Sequence, residues 1–271
     1  MREVRESNVD IGGRRYVMAS DDSYLEKLRG TFEPDMVGLF RAVASGSRTI
    51  LDIGANIGCT AILFGGIADA VHAFEPSPTT FGFLRRNVER AGFANVSLHN
   101  VGLGETPGRF TLTFAPSNRA GGFVSDQTQA SSGHAVEDIE IRRLDDVMPS
   151  LDAPPVDFIK IDVEGFEAHV LRGASATLAA SRPLLVLELN HWCLNAFQRT
   201  SIPDYFDLLR SLFPVLVAVD GASYLDLHNE SERYIVMYHH IVHMRFPNLL
   251  AAYDEGRLQR FRASYRNHFV A

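Results

Sequence analysis

The chain has 271 residues, 46% of them hydrophobic, and a net charge of −7 without a dense Lys/Arg stripe, which argues for one large domain and against a nucleic-acid substrate gripped by its phosphates. Cys59 and Cys193 stand alone without CxxC spacing, so neither a disulfide framework nor a zinc site is expected and a reducing interior is the simple reading. The first residues carry no apolar signal core and no stretch reaches the ~18 apolar residues of a membrane span, so the expectation is a soluble, cytoplasmic protein.

Residues 4–17 read as a hairpin turning at Gly12-Gly13, and residues 34–43 as a helix entered from Thr31-Phe32-Glu33. Together they make an N-terminal extension over 1–46. Regular alternation begins at Thr49: a strand to Ile53, a helix over 57–64, a strand over 70–74, a helix over 79–90 and a strand over 96–99. Strand alternating with helix predicts a parallel sheet with helices on both faces. The pattern lapses between Gly104 and Asp152, where RFTLTF and IEIRRL read as strands around a polar, Gly- and Ser-rich loop over 117–137. A loop of that length is expected to be a flap over an acceptor site or a plain linker.

Alternation resumes with the strand DFIKID, a helix over 166–180, the strand LLVLEL, a helix over 204–212 and the strand VLVAVD. The last strand is read at YIVMYH, residues 234–239. Only a short polar stretch separates it from VLVAVD, so a hairpin must join the two and the final strand runs antiparallel. On this reading the core covers 47–245 and a helical tail follows over 246–271, all within a single domain of 1–271. Ten histidines invite a metal site, above all His239, His240 and His243, but in an apolar strand they read as ordinary residues. Arg257, Arg260, Arg262 and Arg266 read as a solvated helix face.

The first strand ends in Asp52-Ile53-Gly54-Ala55-Asn56-Ile57-Gly58, small residues where the backbone must turn sharply and approach a ligand. The second ends at Glu75, about 20 residues after the first glycine, where a carboxylate can accept hydrogen bonds from two ribose hydroxyls. A dinucleotide fingerprint needs Gly-x-Gly, which this turn lacks. A cofactor without phosphate, carrying an amino acid beside a ribose, suits it better, and S-adenosylmethionine is such a molecule. Pro76 follows Glu75 in the expected cofactor set. At the end of the third strand Asn100 is the expected polar contact near an adenine, with Val101 beside it.

The fourth strand ends Lys160-Ile161-Asp162-Val163-Glu164-Gly165 and its neighbour ends Glu188-Leu189-Asn190-His191. A lysine in an apolar strand needs a partner, here Asp162, Glu188 or a substrate, and a structural ion pair explains it equally well. Methyl transfer from a sulfonium requires alignment and a proton acceptor, for which His191 and Asp162 are the candidates. A competing mechanism has Asp162, Glu188 and Asn190 hold Mg²⁺; the metal-free one is preferred.

LDIGANIG, FEPSP, HNVGLGETPG, the Gly121-Gly122-Phe123-Val124-Ser125 segment, RRLDDV, IKIDVEGFEAHVLRGA and LELNH, with Phe32-Glu33-Pro34 before them, together resemble the FkbM-type family of S-adenosylmethionine-dependent methyltransferases over about 32–220. The resemblance implies a Rossmann-like, doubly wound α/β fold with a seven-stranded sheet whose last strand is antiparallel. It implies O-methylation of a hydroxyl on a sugar, glycolipid or natural product, with Asp52, Gly54, Asn56, Gly58 and Glu75 on the cofactor and Asp162 and Glu164 bordering the methyl group. HWCLNAFQRT then belongs to a variable acceptor wall. A nicotinamide-dependent oxidoreductase would need the missing Gly-x-Gly and a Tyr-x-x-x-Lys pair. A non-catalytic binding module would have lost the cluster of Lys160, Asp162, Glu164 and His191.

Overall fold

The computed structural model describes residues 3–128, 131–151 and 154–268. The outermost residues of the expected domain, and Gln129 and Ala130 of the expected flap, lie outside them. Strands β1 (Arg5–Ile11) and β2 (Arg14–Ser20) form the expected hairpin, followed by α1 (Tyr24–Leu28) and α2 (Pro34–Ala44). The parallel core opens with β3 (Ser47–Ile53), α3 (Cys59–Gly65), β4 (Ala68–Phe74), α4 (Pro78–Ala91) and β5 (Val96–His99). An accessory unit follows: β6 (Gly102–Leu103), β7 (Gly108–Ala115), β8 (Asn118–Phe123), β9 (Ala135–Arg142) and α5 (Leu144–Val147). The chain then returns to the core through β10 (Phe158–Ile161), α6 (Glu167–Arg172), α7 (Ser175–Ser181), β11 (Leu184–Glu188), α8 (His191–Gln198), α9 (Ile202–Leu212), β12 (Val215–Asp220) and β13 (Ser223–Asp226). It closes with α10 (Glu230–His243), β14 (Asn248–Ala252), α11 (Gln259–Ser264) and β15 (Arg266–Asn267).

Among the described residues the main sheet has nine strands in the order β15-β13-β12-β14-β11-β10-β3-β4-β5. Strands β3 and β10 lie in its interior, and their successive side chains enter opposite cores. Ile50 and Phe158 join the layer of Phe40 and Phe64, while Leu51 and Ile159 join that of Tyr205, Phe206 and Phe213. That is why these strands read as unbroken apolar runs rather than as alternation. Phe40, Phe64 and Phe158 meet edge to face at 4.9–6.0 Å between centroids, a favoured aromatic geometry. No helix of the described residues is long and apolar enough to cross a membrane.

Four expectations are corrected. Residues 234–239 lie in helix α10, capped by Asn229, whose side chain accepts from the Glu232 amide; Val236 and His240, one turn apart, are its buried face. A short apolar run does not distinguish strand from buried helix, and the capping asparagine decides it. β14 is wedged between β11 and β12 and antiparallel to both, and β13 hairpins back antiparallel on β12. Residues 246–271 are therefore not a helical tail, and the sheet core does not stop at 245: it runs on through β14 to β15.

The sheet also exceeds the expected seven strands, because β13 and β15 extend its β12 edge. The expected helix over 166–180 is two helices, broken where a Cβ on Gly173 would lie 2.0 Å from the Gly104 carbonyl oxygen. The C-terminal arginines lie at the surface, Arg260 and Arg266 exposed and Arg257 and Arg262 partly so, but they span three elements and several are tied down rather than free. Arg257 donates to the carbonyls of Arg182 and Asp157, Arg260 to that of Ser45, and Arg262 pairs with Glu255 over the Tyr224 ring.

Both ends of the expected flap are ordered as strand. β8 and β9 form an antiparallel accessory sheet with β7, completed by β6. Beyond β8 the loop is tied to α8. The hydroxyls of Ser125 and Thr128 donate to the Phe197 and Ala196 carbonyls at 2.5 and 2.6 Å, and Phe123 stacks on Phe197 at 3.7 Å.

Candidate active site

The loops after β3, β4 and β10 converge at the carboxyl ends of the parallel strands, where open α/β sheets place ligands. Gly54 adopts a φ of +78°, and a Cβ there would lie 1.9 Å from the Asp162 carbonyl oxygen. Only glycine allows the two loops to touch in this way. The Gly54 and Ala55 amides both donate to the Phe74 carbonyl, at 3.0 and 2.9 Å. Asn56 is left-handed (φ +48°), and its amide donates to Glu75 Oε2 at 3.0 Å, while the Ser77 amide donates to Oε1 at 2.9 Å. Each Glu75 oxygen keeps a lone pair for a further donor. Burial pushes its pKa up to about 7.

These loops bound a cavity of about 300 Å³. Of the expected site residues, Gly54, Asn56, Glu75, Pro76, Val101, Lys160, Asp162 and Glu164 line it, and Ala55 lines a smaller hollow that shares Gly54, Asn56 and Asp162 with it. Four others are placed elsewhere. Asp52 lies beneath the turn, accepting from the Thr60 hydroxyl at 2.7 Å with Lys160 Nζ 3.4 Å away. Gly58 serves packing: a Cβ there would lie 2.9 Å from Leu84 Cδ1 of α4. Asn100 does not reach the cavity, because its amide fixes the loop above it by donating to the Glu75 and Pro76 carbonyls at 2.9 and 3.0 Å.

His191 is the fourth. It opens α8, behind the cavity wall, with its ring 5.2 Å from that of His240. The His191 amide donates to His240 Nε2 at 3.3 Å, and His240 Nδ1 faces the Arg245 carbonyl at 2.7 Å. That pairing fixes a neutral His240, whose pKa burial lowers. His191 lies outside the cavity lining because the residue after an N-cap leaves the strand direction and turns away from the sheet end.

Lys160 is almost fully enclosed. Its ammonium donates to the Gly54 carbonyl at 2.7 Å and lies 3.4 Å from the Ile53 carbonyl, from Asp52 and from Asp162. Burial alone would lower its pKa, but Asp162 and Asp52 carry it above the ordinary lysine value. It is a charged pin between the β3 and β10 loops.

The Asp162-to-Gly165 turn has two left-handed residues, Glu164 (φ +52°) and Gly165 (φ +96°), and a Cβ on Gly165 would lie 2.9 Å from the Cys193 backbone. The turn therefore presses against α8. There Glu164 Oε2 accepts from Asn190 Nδ2 at 3.3 Å and from Cys193 Sγ at 3.0 Å. Burial, then Asp162, pushes Glu164 up to about 7. Asn190 thus bonds Glu164 through its amide nitrogen and caps α8 through its oxygen. Among the described residues no group of three His, Cys, Asp or Glu side chains is placed to hold a metal ion.

The far wall was only partly anticipated. Tyr24, Glu33 and Met36 come from the N-terminal extension, Arg119, Gly122 and Val124 from β8 and its end, and Pro247 and Asn248 from the entry to β14. The expected flap over 117–137 covers the second of these groups and Glu33 stands in the Phe32-Glu33-Pro34 segment, whereas Tyr24, Met36, Pro247 and Asn248 carried no signal. Arg119 is held by Asp21 at 2.9 Å and Glu137 at 3.1 Å, stacks over Phe114, and through its amide binds Asp22.

A mostly parallel sheet with a carboxylate-bearing cavity at its strand ends defines a Rossmann-like α/β protein with its candidate ligand site at the carboxyl ends of the strands. Residues 52–216 match the methyltransferase FkbM domain, and the chain belongs to that family. It is 32% identical to the hexuronic acid methyltransferase AglP of Haloferax volcanii, over 60% of this chain and 64% of that protein. It is 30% identical to the 2-O-methyltransferase NoeI of Sinorhizobium fredii, over 49% of this chain and 60% of that protein. The match thus spans about three fifths of these relatives' length. The fold is also similar to the crystal structure of a methyltransferase FkbM from Methylobacillus flagellatus, with a TM-score of 0.42 and 22% identity over 63% of this chain and 38% of that one.

Proposed function

We propose that this protein is an S-adenosylmethionine-dependent O-methyltransferase acting on a hydroxyl of a small-molecule or glycan acceptor: a sugar, a glycolipid or a natural product. The observation that carries this reading is Glu75, buried at the end of β4 with both carboxylate oxygens oriented by backbone amides and facing the cavity. A carboxylate preorganised in this way suits a ribose diol. The absence of Gly-x-Gly in the turn favours a cofactor without pyrophosphate. The names of the relatives, one a hexuronic acid methyltransferase and one a 2-O-methyltransferase, support a sugar-like hydroxyl as acceptor.

Gly54, Asn56, Glu75, Pro76 and Val101 would hold the cofactor, which when bound supplies an electrophilic methyl group. Glu75 would fix the ribose, and the Lys160 pin would hold the β3 and β10 loops against each other. Asp162, with a third of its side chain exposed, and Glu164 line the same cavity and would accept the proton of the acceptor hydroxyl. Orientation of that hydroxyl can contribute ~7–11 kcal/mol and a positioned base ~10²–10⁴-fold in rate.

The test is transfer of isotope-labelled methyl from S-adenosylmethionine into extract fractionated into glycan, lipid, small-molecule and protein pools, with calorimetric binding of S-adenosylhomocysteine alongside. Glu75→Ala is expected to weaken that binding by about 2–3 kcal/mol through loss of charge-assisted hydrogen bonds. Unchanged affinity would remove Glu75 from the site, and no binding by the native protein would overturn the reading.

A further inference from the structure

Helix α10 is apolar on the side that faces water. Its inner face is settled: Val236 and His240 are buried, and Ile235 and Met237 pack on the core of Tyr205, Phe206 and Phe213. At about 100° per residue the opposite face is Tyr234, Tyr238, Ile241 and Val242, spaced i, i+4, i+7 and i+8. They are 65%, 51%, 50% and 53% exposed. No Asp, Glu, Lys or Arg falls between Tyr234 and Met244 to break the stripe. A surface helix keeps a polar outer face, and one that is apolar all round belongs in an interior.

The stripe is large and already shaped. Its four side chains present roughly 500 Å², near the largest patch of an ordinary monomer and over half of the ~800 Å² that each partner buries in a standard interface. Tyr238 stands edge-on to His239, at 5.2 Å between ring centroids, and to His243 at 6.5 Å. A ring held in place loses little freedom when a partner covers it.

The charges at the two ends of the stripe say what covers it. Glu230 opens α10, exposed and in no ion pair among the described residues. Arg245 follows the helix; it pairs with Asp220 through Nε and one Nη, and its side chain remains 43% exposed. Glu230 lies eight residues before Tyr238 and Arg245 seven after it. The surface is therefore self-complementary under a two-fold axis through Tyr238 that sets two such helices antiparallel. That axis puts Tyr234 against Val242 of the second copy and Glu230 beside its Arg245, and it opposes the two helix dipoles. A parallel pairing would set Glu230 on Glu230. A lipid surface calls for basic flanks, whereas Glu230 and Glu232 open this helix and the chain has a net charge of −7.

We propose that this protein forms a two-fold dimer in which α10 packs antiparallel on α10 of a second copy, with Tyr238 at the axis. This dimer does not depend on what the cavity binds.

The experiment is sedimentation velocity of the full chain at concentrations up to about 100 μM, where a dimer with a dissociation constant in the low micromolar range or below is expected. Tyr238→Glu, at an exposed position outside the cavity lining, is expected to weaken association about a hundredfold with circular dichroism unchanged. Glu230→Arg, which sets like charges together, is expected to weaken it about tenfold. With copper phenanthroline as oxidant, Tyr238→Cys is expected to link two chains by a disulfide while Glu230→Cys does not, the native Cys59 and Cys193 being buried. A monomer at every concentration, a dimer untouched by Tyr238→Glu, or a disulfide at Glu230→Cys but not at Tyr238→Cys overturns the proposal. So does a monomer that pellets with vesicles of phosphatidylcholine and phosphatidylglycerol, which would assign the stripe to a lipid surface. None of these results bears on the methyltransferase reading, which S-adenosylhomocysteine binding tests separately.

Discussion

On the proposed cofactor side of the cavity the loops after β3, β4 and β10 are held mainly through backbone groups: Gly54 against the Asp162 carbonyl, the Gly54 and Ala55 amides on the Phe74 carbonyl and the Asn56 amide on the Glu75 carboxylate, with Lys160 pinned between them. On the far side, elements remote in sequence are joined by side chains. Arg119 of β8 ties Asp21 and Asp22, which follow the hairpin, to Glu137 of β9, and Lys27 of α1 reaches Asn118. The first kind of contact tolerates almost no change in shape, because a carbonyl cannot step aside. The second can be broken one pair at a time while the sheet beneath it persists. A cofactor common to a family suits the first wall, and an acceptor that differs between relatives suits the second.

The largest effect that would break this contrast is at Gly54. Gly54→Ala places a methyl group 1.9 Å from a carbonyl oxygen at a positive φ, so the loops must part or the backbone must strain, at a cost of roughly 3 kcal/mol or more. Chemical denaturation is expected to show that loss, and S-adenosylhomocysteine binding is expected to fall with it. A stable Gly54→Ala protein with native affinity would mean that the two loops do not need their contact.

The far wall sharpens the comparison. Arg119→Ala leaves Asp21 and Glu137 close together without their cation, in a site about one-seventh exposed. The expected loss is about 1–2 kcal/mol, less than for a fully buried pair because solvent reaches it. Hydrogen exchange is expected to rise in β8 and β9 while β3 and β10 stay protected, and S-adenosylhomocysteine affinity is expected to stay within about twofold. Equal loosening of both regions would show that the walls form one cooperative unit.

The same division explains what the sequence made legible. The β3-to-β5 and β10-to-β11 stretches were readable because their signals are local: apolar runs of strand length, a glycine turn, an acid at the next strand end. Glu75, Gly54 and Asp162 fall where spacing places them. β14 was not readable, since Asn248–Ala252 becomes a strand only by entering the gap between β11 and β12, a pairing no local pattern encodes. Nor was α10, whose apolar YIVMY suits a strand until Asn229 is recognised as its cap. Asn100 and Asp52 carry the right chemistry for a ligand, but their hydrogen bonds go to backbone and to Thr60. Side-chain type announces polarity at a strand end without saying whether a ligand or the loop itself consumes it.

His191 is where that limit is most visible, and it gives the smallest expected effect. By sequence it ends LELNH beside the strand-end cluster and carries an imidazole, a common proton acceptor. In the fold Asn190 caps α8, the chain turns, and His191 packs its ring on His240, outside the cavity lining. What its backbone gives His240, an amide for Nε2, survives substitution. His191→Ala is therefore expected to leave S-adenosylhomocysteine affinity and the rate of labelled methyl transfer within about twofold, with stability lowered only by lost packing. A large drop in transfer rate at native cofactor affinity, together with a lost limb in the pH profile, would return the proton-acceptor role to His191 and take it from the carboxylates of the β10 turn.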